Sequence, residues 1–243
     1  LNYHFSNSNE FLGDRVEKLI FPNGNIDKKS DYAYLFKGNS YYTPRAIYSL
    51  IDKGIRIKIG LKPFSINNNS YDYGTYLIPA QNQTLSSEEI YKELQKLILI
   101  NPIKINGVNT GLTEGIDLGS RNFVTLKKPK IGLIVGDGVR SYDAGEIWHL
   151  LDVKYKIPVT KIDVNNIKRH NLSKYSHIIL PNYTGNKLDS KQIDDYLKRG
   201  GNLIAYRSSI QWLNKVGITE IDFLKNELKP SKVNFDQKRK FYG

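Results

Sequence analysis

The stretch that decides the fold is Lys130-Ile-Gly-Leu-Ile-Val-Gly-Asp-Gly-Val-Arg-Ser141. It begins as a short apolar run, which is typical of a strand buried on both faces, and it ends in a glycine-containing turn. The residues after the turn, 143–154, carry apolar side chains at helical spacing. A strand, a glycine turn and a helix in this order predict an α/β unit with a parallel sheet.

The same alternation continues toward the C-terminus. Three more strands are predicted, at residues 159–164, 178–181 and 202–206. A helix is predicted at 189–197, because Asp189 is a good N-cap and Gly200-Gly201 is a good helix stop. We therefore predict one α/β unit over residues 128–225.

A similar set of elements lies about 100 residues upstream. Its predicted strands are 32–36, 55–59, 76–79 and 103–108, and its predicted helices are 43–53 and 86–94. The fold class predicted is α/β, with two tandem open, mainly parallel sheets flanked by helices, in a flavodoxin-like arrangement. The predicted organisation is a lead-in segment (1–30), a first unit (31–127), a second unit (128–225) and a basic tail (226–243).

Composition narrows the function classes. The chain has no Cys, which excludes disulfides, thiolate zinc sites and Cys nucleophiles. The net charge of +12 favours an anionic partner. Nucleic acid is not the expected partner, because the lysines are scattered and no nucleic-acid-binding motif is present. No apolar run is long enough to predict a transmembrane segment. A chain that begins at Leu1 without Met is expected to be a processed product or a fragment.

Ligands of open parallel sheets bind outside the carboxyl ends of the strands, so the residues that follow each strand are the binding candidates. The turn after the first strand of the second unit resembles a dinucleotide-binding fingerprint, with Ser141 in place of the third glycine. The alternative is an ordinary turn before a helix. The ligand-binding candidates are Gly136, Asp137, Gly138, Ser141, Asn182 and Arg207.

A strand, a sharp turn and a helix around Arg207-Ser-Ser209 would present Ser208 or Ser209 as a nucleophile. Such a serine needs a base, and no histidine follows it in the chain. The alternative is a serine that caps the last helix.

Two further groups have a chemical and a structural interpretation. Glu146 and His149 are spaced as in a Glu-x-x-His pair, and Glu146 is a candidate catalytic carboxylate. The alternative is the polar stripe of an amphipathic helix, and no metal site is predicted in this chain. Tyr41-Tyr42 and Tyr71-Asp-Tyr73 could line a glycan or peptide groove, or could simply be packing residues.

The second unit resembles the class I glutamine amidotransferase-like fold. The shared features are the strand before Gly136-Asp-Gly138, the Ile-Leu-Pro181 strand end, the Gly200-Gly201 stop and the final elbow. The resemblance implies a Cys nucleophile at the elbow, where this sequence has Ser208. With no following histidine, the resemblance implies a degenerate site.

A narrower resemblance covers about residues 31–213. The phrases that carry it are Tyr41-Tyr-Thr-Pro-Arg45, Pro79-Ala-Gln-Asn-Gln83, the run 108–120 and the run 128–149. They resemble the C-terminal region of bacterial zinc carboxypeptidase-like proteins of the carboxypeptidase A-type superfamily. The resemblance implies a peptidase domain upstream of Leu1 that holds the zinc, and a secreted or periplasmic parent. None of that family's zinc ligands carries over to this chain, so no cofactor is expected here.

Three functions follow as expectations. The first is a non-catalytic accessory region that contacts the upstream peptidase domain and helps to bind a peptide or glycan substrate. The second is an independent hydrolase or amidotransferase-like enzyme that uses Ser208. The third is a glycan- or anion-binding module.

Overall fold

The computed structural model describes residues 23–223, together with Asp14, Arg15 and Glu17. Residues 21–219 belong to one compact unit, which contains nearly all of the two predicted α/β units. Of the remaining residues, 220–223 are exposed and have no regular secondary structure. The predicted basic tail (226–243) and most of the predicted lead-in segment (1–30) lie outside the described residues.

The first half of the unit contains eight strands and two helices. They are β1 (Asn25–Ile26), β2 (Ala33–Phe36), α1 (Thr43–Asp52), β3 (Lys58–Gly60), β4 (Phe64–Ile66), β5 (Asn69–Tyr71), β6 (Tyr76–Pro79), α2 (Ser87–Ile100), β7 (Lys104–Val108) and β8 (Phe123–Thr125). Six strands form a sheet in the order β1-β7-β2-β6-β3-β8, and β4 pairs with β5 as a separate hairpin. In the six-stranded sheet, β1 and β7 are parallel and every other neighbouring pair is antiparallel.

The prediction of a mainly parallel sheet in this half is wrong. The reason lies between β3 and β6, where the chain folds into the β4–β5 hairpin instead of crossing over the sheet. Asn67 and Asn68 both have positive φ, 51° and 57°, as the two central residues of a type I′ hairpin turn require. The chain reverses, and β6 lies antiparallel to β3. The resulting β-α-β-β-α-β connectivity is a split β-α-β arrangement, so the two halves are not copies of one unit.

The second half contains four strands and three α-helices. They are β9 (Ile131–Val135), α3 (Ser141–Trp148), β10 (Val159–Asp163), β11 (His177–Leu180), α4 (Ser190–Lys198), β12 (Asn202–Ala205) and α5 (Ser208–Lys215). The π-helix His149–Lys154 continues α3, and 3₁₀ segments connect β10 to β11. All strand pairs are parallel, in the order β10-β9-β11-β12. The predicted parallel sheet is confirmed in this half.

Both sheets have covered faces. The first sheet buries one face under α1 and α2 and the other under the β4–β5 hairpin. The second sheet packs one face against α4 and α5, in a core that includes Ile134, Ile178, Ile193 and Trp212. The carboxyl edge of the parallel sheet carries the loops that form the candidate site. In the part of the chain from 23 to 223, no helix has both the length and the apolar character to cross a bilayer.

Candidate ligand-binding site

A cleft opens at the carboxyl edge of the parallel sheet, between β9 and β11. The strand order reverses direction here, because the chain leaves β9 for β10 on one side and later returns to β11 on the other. Such switch points are where open α/β sheets bind ligands. The cleft has a volume of about 440 Å³, and its lining residues are Gly138, Val139, Arg140, Asn182, Thr184 and Ser208.

Backbone hydrogen bonds hold the two walls of this cleft together. The amide of Arg140 donates to the carbonyl of Asn182 (2.9 Å), and the amide of Thr184 donates to the carbonyl of Gly138 (2.9 Å). Gly138 has φ 79°, and a Cβ there would lie 2.5 Å from the Cα of Gly185. The close approach therefore requires glycine, and the cleft walls are preformed.

Arg207 occupies the sharp turn between β12 and α5. Its backbone has φ 57° and ψ −133°, a region that is essentially restricted to glycine and costs about 1–3 kcal/mol. A nucleophile elbow places its nucleophile at such a strained strand-to-helix turn. The structure thus puts a guanidinium at the position that the sequence analysis assigned to Ser208. Ser208 is instead the first residue of α5, and among the described residues no hydrogen bond joins it to a histidine.

Ser209 anchors the elbow, a role that its residue type and position did not predict. Its side chain is fully buried. Its hydroxyl accepts a hydrogen bond from the amide of Tyr183 (2.9 Å) and donates to the carbonyl of Pro181. These bonds fix the start of α5 to the segment after β11, which is one wall of the cleft.

Two buried acceptors have no partner at this edge, one on Asp143, which lies 3.8 Å from Arg207, and one on Asn182, which lines the cleft. Asp143 and Asn182 are only 7% and 9% exposed. The Oδ2 atom of Asp143 and the Oδ1 atom of Asn182 are buried and have no hydrogen-bond partner. Burial and then the charge of Asp143 raise the pKa of the neighbouring Tyr206 phenol. Unpaired buried acceptors cost about 1–3 kcal/mol each, so these two are candidates for a contact that the protein itself does not supply.

Two helices start at this edge with arginine at the N-cap. Arg140 precedes α3 and Arg207 precedes α5, and neither makes a side-chain capping bond. By contrast, Ser86 caps α2 and Asp189 caps α4 through side-chain oxygens. An arginine side chain offers no acceptor for the first amides of a helix, and its charge lies at the positive end of the helix dipole. At α5 the amides of Ser209 and Ile210 donate instead to the carbonyls of Tyr206 and Arg207. The two arginines therefore bring positive charge to this edge, which Asp143 in the first turn of α3 partly offsets.

The remaining turn residues lie beside the cleft. Gly136 and Ser141 line a separate cavity of about 330 Å³, together with Trp148 and Lys161. Gly136 has φ 96°, and a Cβ there would lie 2.6 Å from the carboxylate of Asp163. The predicted glycine-turn candidates are therefore divided between two neighbouring cavities.

Asp137 is exposed and paired with Lys187. The Asp137 Oδ2 and Lys187 Nζ atoms are 2.5 Å apart. The hydrogen bond from Lys187 and then its charge lower the pKa of Asp137. Asp137 therefore lies at the rim as half of an ion pair.

The Glu146 and His149 pair lies on the surface, where α3 ends and the π-helix begins. Glu146 is exposed in α3, and His149 is the first residue of the π-helix. Within residues 23–223, no group of three or more His, Asp or Glu side chains could bind a metal ion.

The tyrosine clusters serve mostly in packing. Tyr71 is buried and stacks on Phe64, with ring centroids 5.1 Å apart. Tyr41 packs edge-on against Tyr42 at 5.3 Å. Tyr73 differs, because it is 71% exposed beside a cavity of about 690 Å³. The glycan-groove prediction therefore reduces to this cavity in the first half.

Comparisons of the chain with protein-family models, with curated proteins and with solved structures give no match. The resemblance to zinc carboxypeptidase-like proteins stays a prediction that rests on the short sequence motifs between residues 41 and 149.

Proposed function

We propose that this chain is a non-catalytic accessory region of a secreted or periplasmic zinc carboxypeptidase-like protein. Its second half is a flavodoxin-like or amidotransferase-like domain with a degenerate site, and this site binds a small anionic ligand. Zinc and peptide hydrolysis belong to a peptidase domain upstream of Leu1, which is the proposed partner of this region.

The observation that carries the proposal is the guanidinium of Arg207 at the strained elbow. A guanidinium stays protonated and cannot act as a nucleophile, but it binds carboxylates and phosphates with paired hydrogen bonds. Arg140 lines the cleft and adds a second guanidinium at this edge, and Arg207 adjoins the cleft through its neighbour Ser208, which lines it. The N-terminus of α3, which has no side-chain cap, adds partial positive charge. Together these groups favour binding of an anion over nucleophilic chemistry.

The sequestration of Ser209 and the position of Ser208 support the same conclusion. The buried hydroxyl of Ser209 already accepts a hydrogen bond from Tyr183 and donates one to Pro181. Ser208 lines the cleft at the first position of α5, where a hydroxyl can donate to a bound anion.

The test is calorimetric titration of the purified chain with sodium acetate and with sodium phosphate, at constant ionic strength set by sodium chloride. We expect saturable binding of at least one of the two anions and a loss of at least tenfold in affinity for Arg207→Gln. Lys191→Gln, an exposed cation on α4, is the matched control and is expected to bind as the wild type does.

Hydrolase assays on the same samples test the enzymatic alternative. Turnover of a 4-nitrophenyl ester or of glutamine that disappears in Ser208→Ala would contradict the proposal. Equal anion affinity in the wild type and in Arg207→Gln would also contradict it, because binding would then reflect general surface charge.

A further inference from the structure

A cavity of about 690 Å³ lies in the first half of the unit, beside the turn that follows β5. It is larger than the cleft of about 440 Å³ in the second half. Its lining combines the ring of Tyr73, which is 71% exposed, with the exposed polar side chains of Lys37, Asn39, Ser70 and Asp72. Aromatic rings together with a few convergent polar groups are typical of small-molecule sites.

The turn that carries the exposed ring is fixed by hydrogen bonds. The hydroxyl of Thr75 donates to the carbonyl of Asp72 (2.6 Å), and the amide of Gly74 donates to the carbonyl of Gly60 (2.7 Å). The amide of Gly60 donates in return to the carbonyl of Thr75 (2.8 Å). Gly38 approaches so closely that a Cβ there would lie 2.6 Å from the carbonyl oxygen of Gly74. The cavity wall is therefore preformed, and a ligand does not have to order it.

The polar groups of the lining include both donors and acceptors, and their charges cancel. Oδ1 of Asp72 accepts from the amide of Tyr73 (2.8 Å), and among the described residues Oδ2 and the side chain of Asn39 have no hydrogen-bond partner. Lys37 supplies the cation, and its Nζ lies 5.9 Å from the centroid of the buried Tyr71 ring. One cation and one carboxylate leave the lining without net charge, although the whole chain carries +12. This lining suits an uncharged ligand rich in hydroxyl groups, because each hydroxyl both donates and accepts.

We propose that this cavity binds a neutral oligosaccharide of the glucose type, in which the ring hydroxyls are equatorial. The C–H groups of such a sugar form two apolar ring faces, and one of them packs on the exposed ring of Tyr73. The hydroxyls at the edge of the sugar ring exchange hydrogen bonds with Asp72, Asn39 and Ser70. The site goes beyond the proposed function, because it lies in the other half of the unit and its ligand is uncharged.

A peptide is the competing ligand, and the lining favours it less. A peptide backbone offers one donor and one acceptor per residue, whereas neighbouring sugar hydroxyls offer both at every position. The adjacent hydroxyls of a sugar therefore match the side-chain donors and acceptors that converge in the cavity.

The experiment is calorimetric titration of the purified chain with cellotetraose and with maltotetraose, which differ only in linkage, and with the uncharged peptide N-acetyl-trialanine amide. We expect saturable binding of at least one tetrasaccharide, and peptide binding at least about tenfold weaker. Tyr73→Ala is expected to lower the affinity for the sugar by at least about tenfold, whereas Tyr73→Phe keeps the ring and should bind within about threefold of the wild type. Tyr142→Ala, which removes a 78% exposed tyrosine from α3, is the matched control and should bind as the wild type does.

Failure of both tetrasaccharides to bind would overturn the proposal, and so would tighter binding of the peptide. Equal sugar affinity in Tyr73→Ala and in the wild type would overturn it too, because the sugar would then bind elsewhere. The ring of Tyr73 is largely exposed, so its replacement is expected to leave the fold intact. The sugar site and the anion site fail separately, since Arg207→Gln should keep the sugar affinity and Tyr73→Ala should keep the acetate and phosphate affinities.

Discussion

Nη1 of Arg207 and Oδ1 of Asp143 lie 3.8 Å apart, and they join the start of α5 to the first turn of α3 across the carboxyl edge of the sheet. The contact places a positive charge on a strained turn and a nearly buried carboxylate on the opposite helix. Each group remains partly unsatisfied, because the distance is long for a hydrogen bond and Oδ2 has no partner. This pair combines local strain with incomplete bonding, which natural proteins tolerate mainly at functional sites.

The strain at Arg207 leads to a stability prediction. The test uses an Asp143→Asn background, in which Arg207 has no ion pair to lose. In this background Arg207→Gly is expected to raise the free energy of unfolding by about 1 kcal/mol, because glycine adopts this φ and ψ without strain. Urea denaturation measures the change. Lys156→Gly, at φ 58° on the surface, is the control for relief of an ordinary left-handed residue. A destabilised Arg207→Gly variant would show that the turn is not strained.

Ser209 is expected to be structural and Ser208 dispensable for folding. Ser209→Ala leaves the buried amide of Tyr183 without an acceptor, and it should lower the free energy of unfolding by about 1–3 kcal/mol. The neighbouring substitution Ser208→Ala should change it by less than about 0.5 kcal/mol. Thermal and urea denaturation of the two variants side by side give the comparison. Equal changes in unfolding free energy for the two variants would contradict the anchoring role of Ser209.

The N-cap of α4 offers a test of ordinary helix capping in the same domain. The carboxylate of Asp189 accepts from the amides of Lys191 and Gln192. Asp189→Ala should therefore cost about 1 kcal/mol of unfolding free energy. Asp194→Ala, which breaks an exposed i,i+4 pair with Lys198 on the same helix, should cost only a few tenths of a kcal/mol. A cost for Asp189→Ala no larger than that for Asp194→Ala would rule out the capping contribution.

Acid stability should depend on Asp27 in the first half. Partial burial acts to raise the pKa of Asp27, but hydrogen bonds from Asn106 and Gly107 outweigh it, and the pKa is lowered in the fold. A lowered pKa contributes stability above the ordinary aspartate pKa of about 3.9, and this contribution is lost as the pH falls through the lower folded-state pKa. The stability difference between wild type and Asp27→Asn should therefore shrink as the pH drops below about 4. Urea denaturation across this pH range checks it, and a difference that grew on acidification would contradict it.

The secondary structure of this chain was largely predictable, whereas the strand pairing of its first half was not. Apolar periodicity and caps located α1, α2 and the strands β2, β3, β6 and β7, because these signals are local, whereas the short strands β1, β4, β5 and β8 were not predicted. Pairing depends on how the chain travels between β3 and β6, and there the Asn67-Asn68 turn reverses it. Asparagines at adjacent positions are typical of such turns and could have indicated the hairpin.

The candidate site was predictable at the level of its location. The rule that ligands bind at carboxyl strand ends correctly brought Gly138, Asn182 and Ser208 to one cleft. The elbow residue was misplaced by one, because a strained backbone at Arg207 is not encoded in its residue type. Asp143 was also missed, since a lone acidic residue in a helix gives no signal of burial.

The most direct test of the central claim is a two-dimensional amide NMR titration of the ¹⁵N-labelled chain with sodium acetate at constant ionic strength. If the edge between β9 and β11 is the anion site, saturable shift changes will concentrate on the amides of Gly138, Asn182 and Ser208, and Arg207→Gln will abolish them. Shift changes spread over the surface lysines would contradict the claim that Arg207 makes this edge of the sheet an anion-binding site. Saturable changes that persist in Arg207→Gln would contradict it as well.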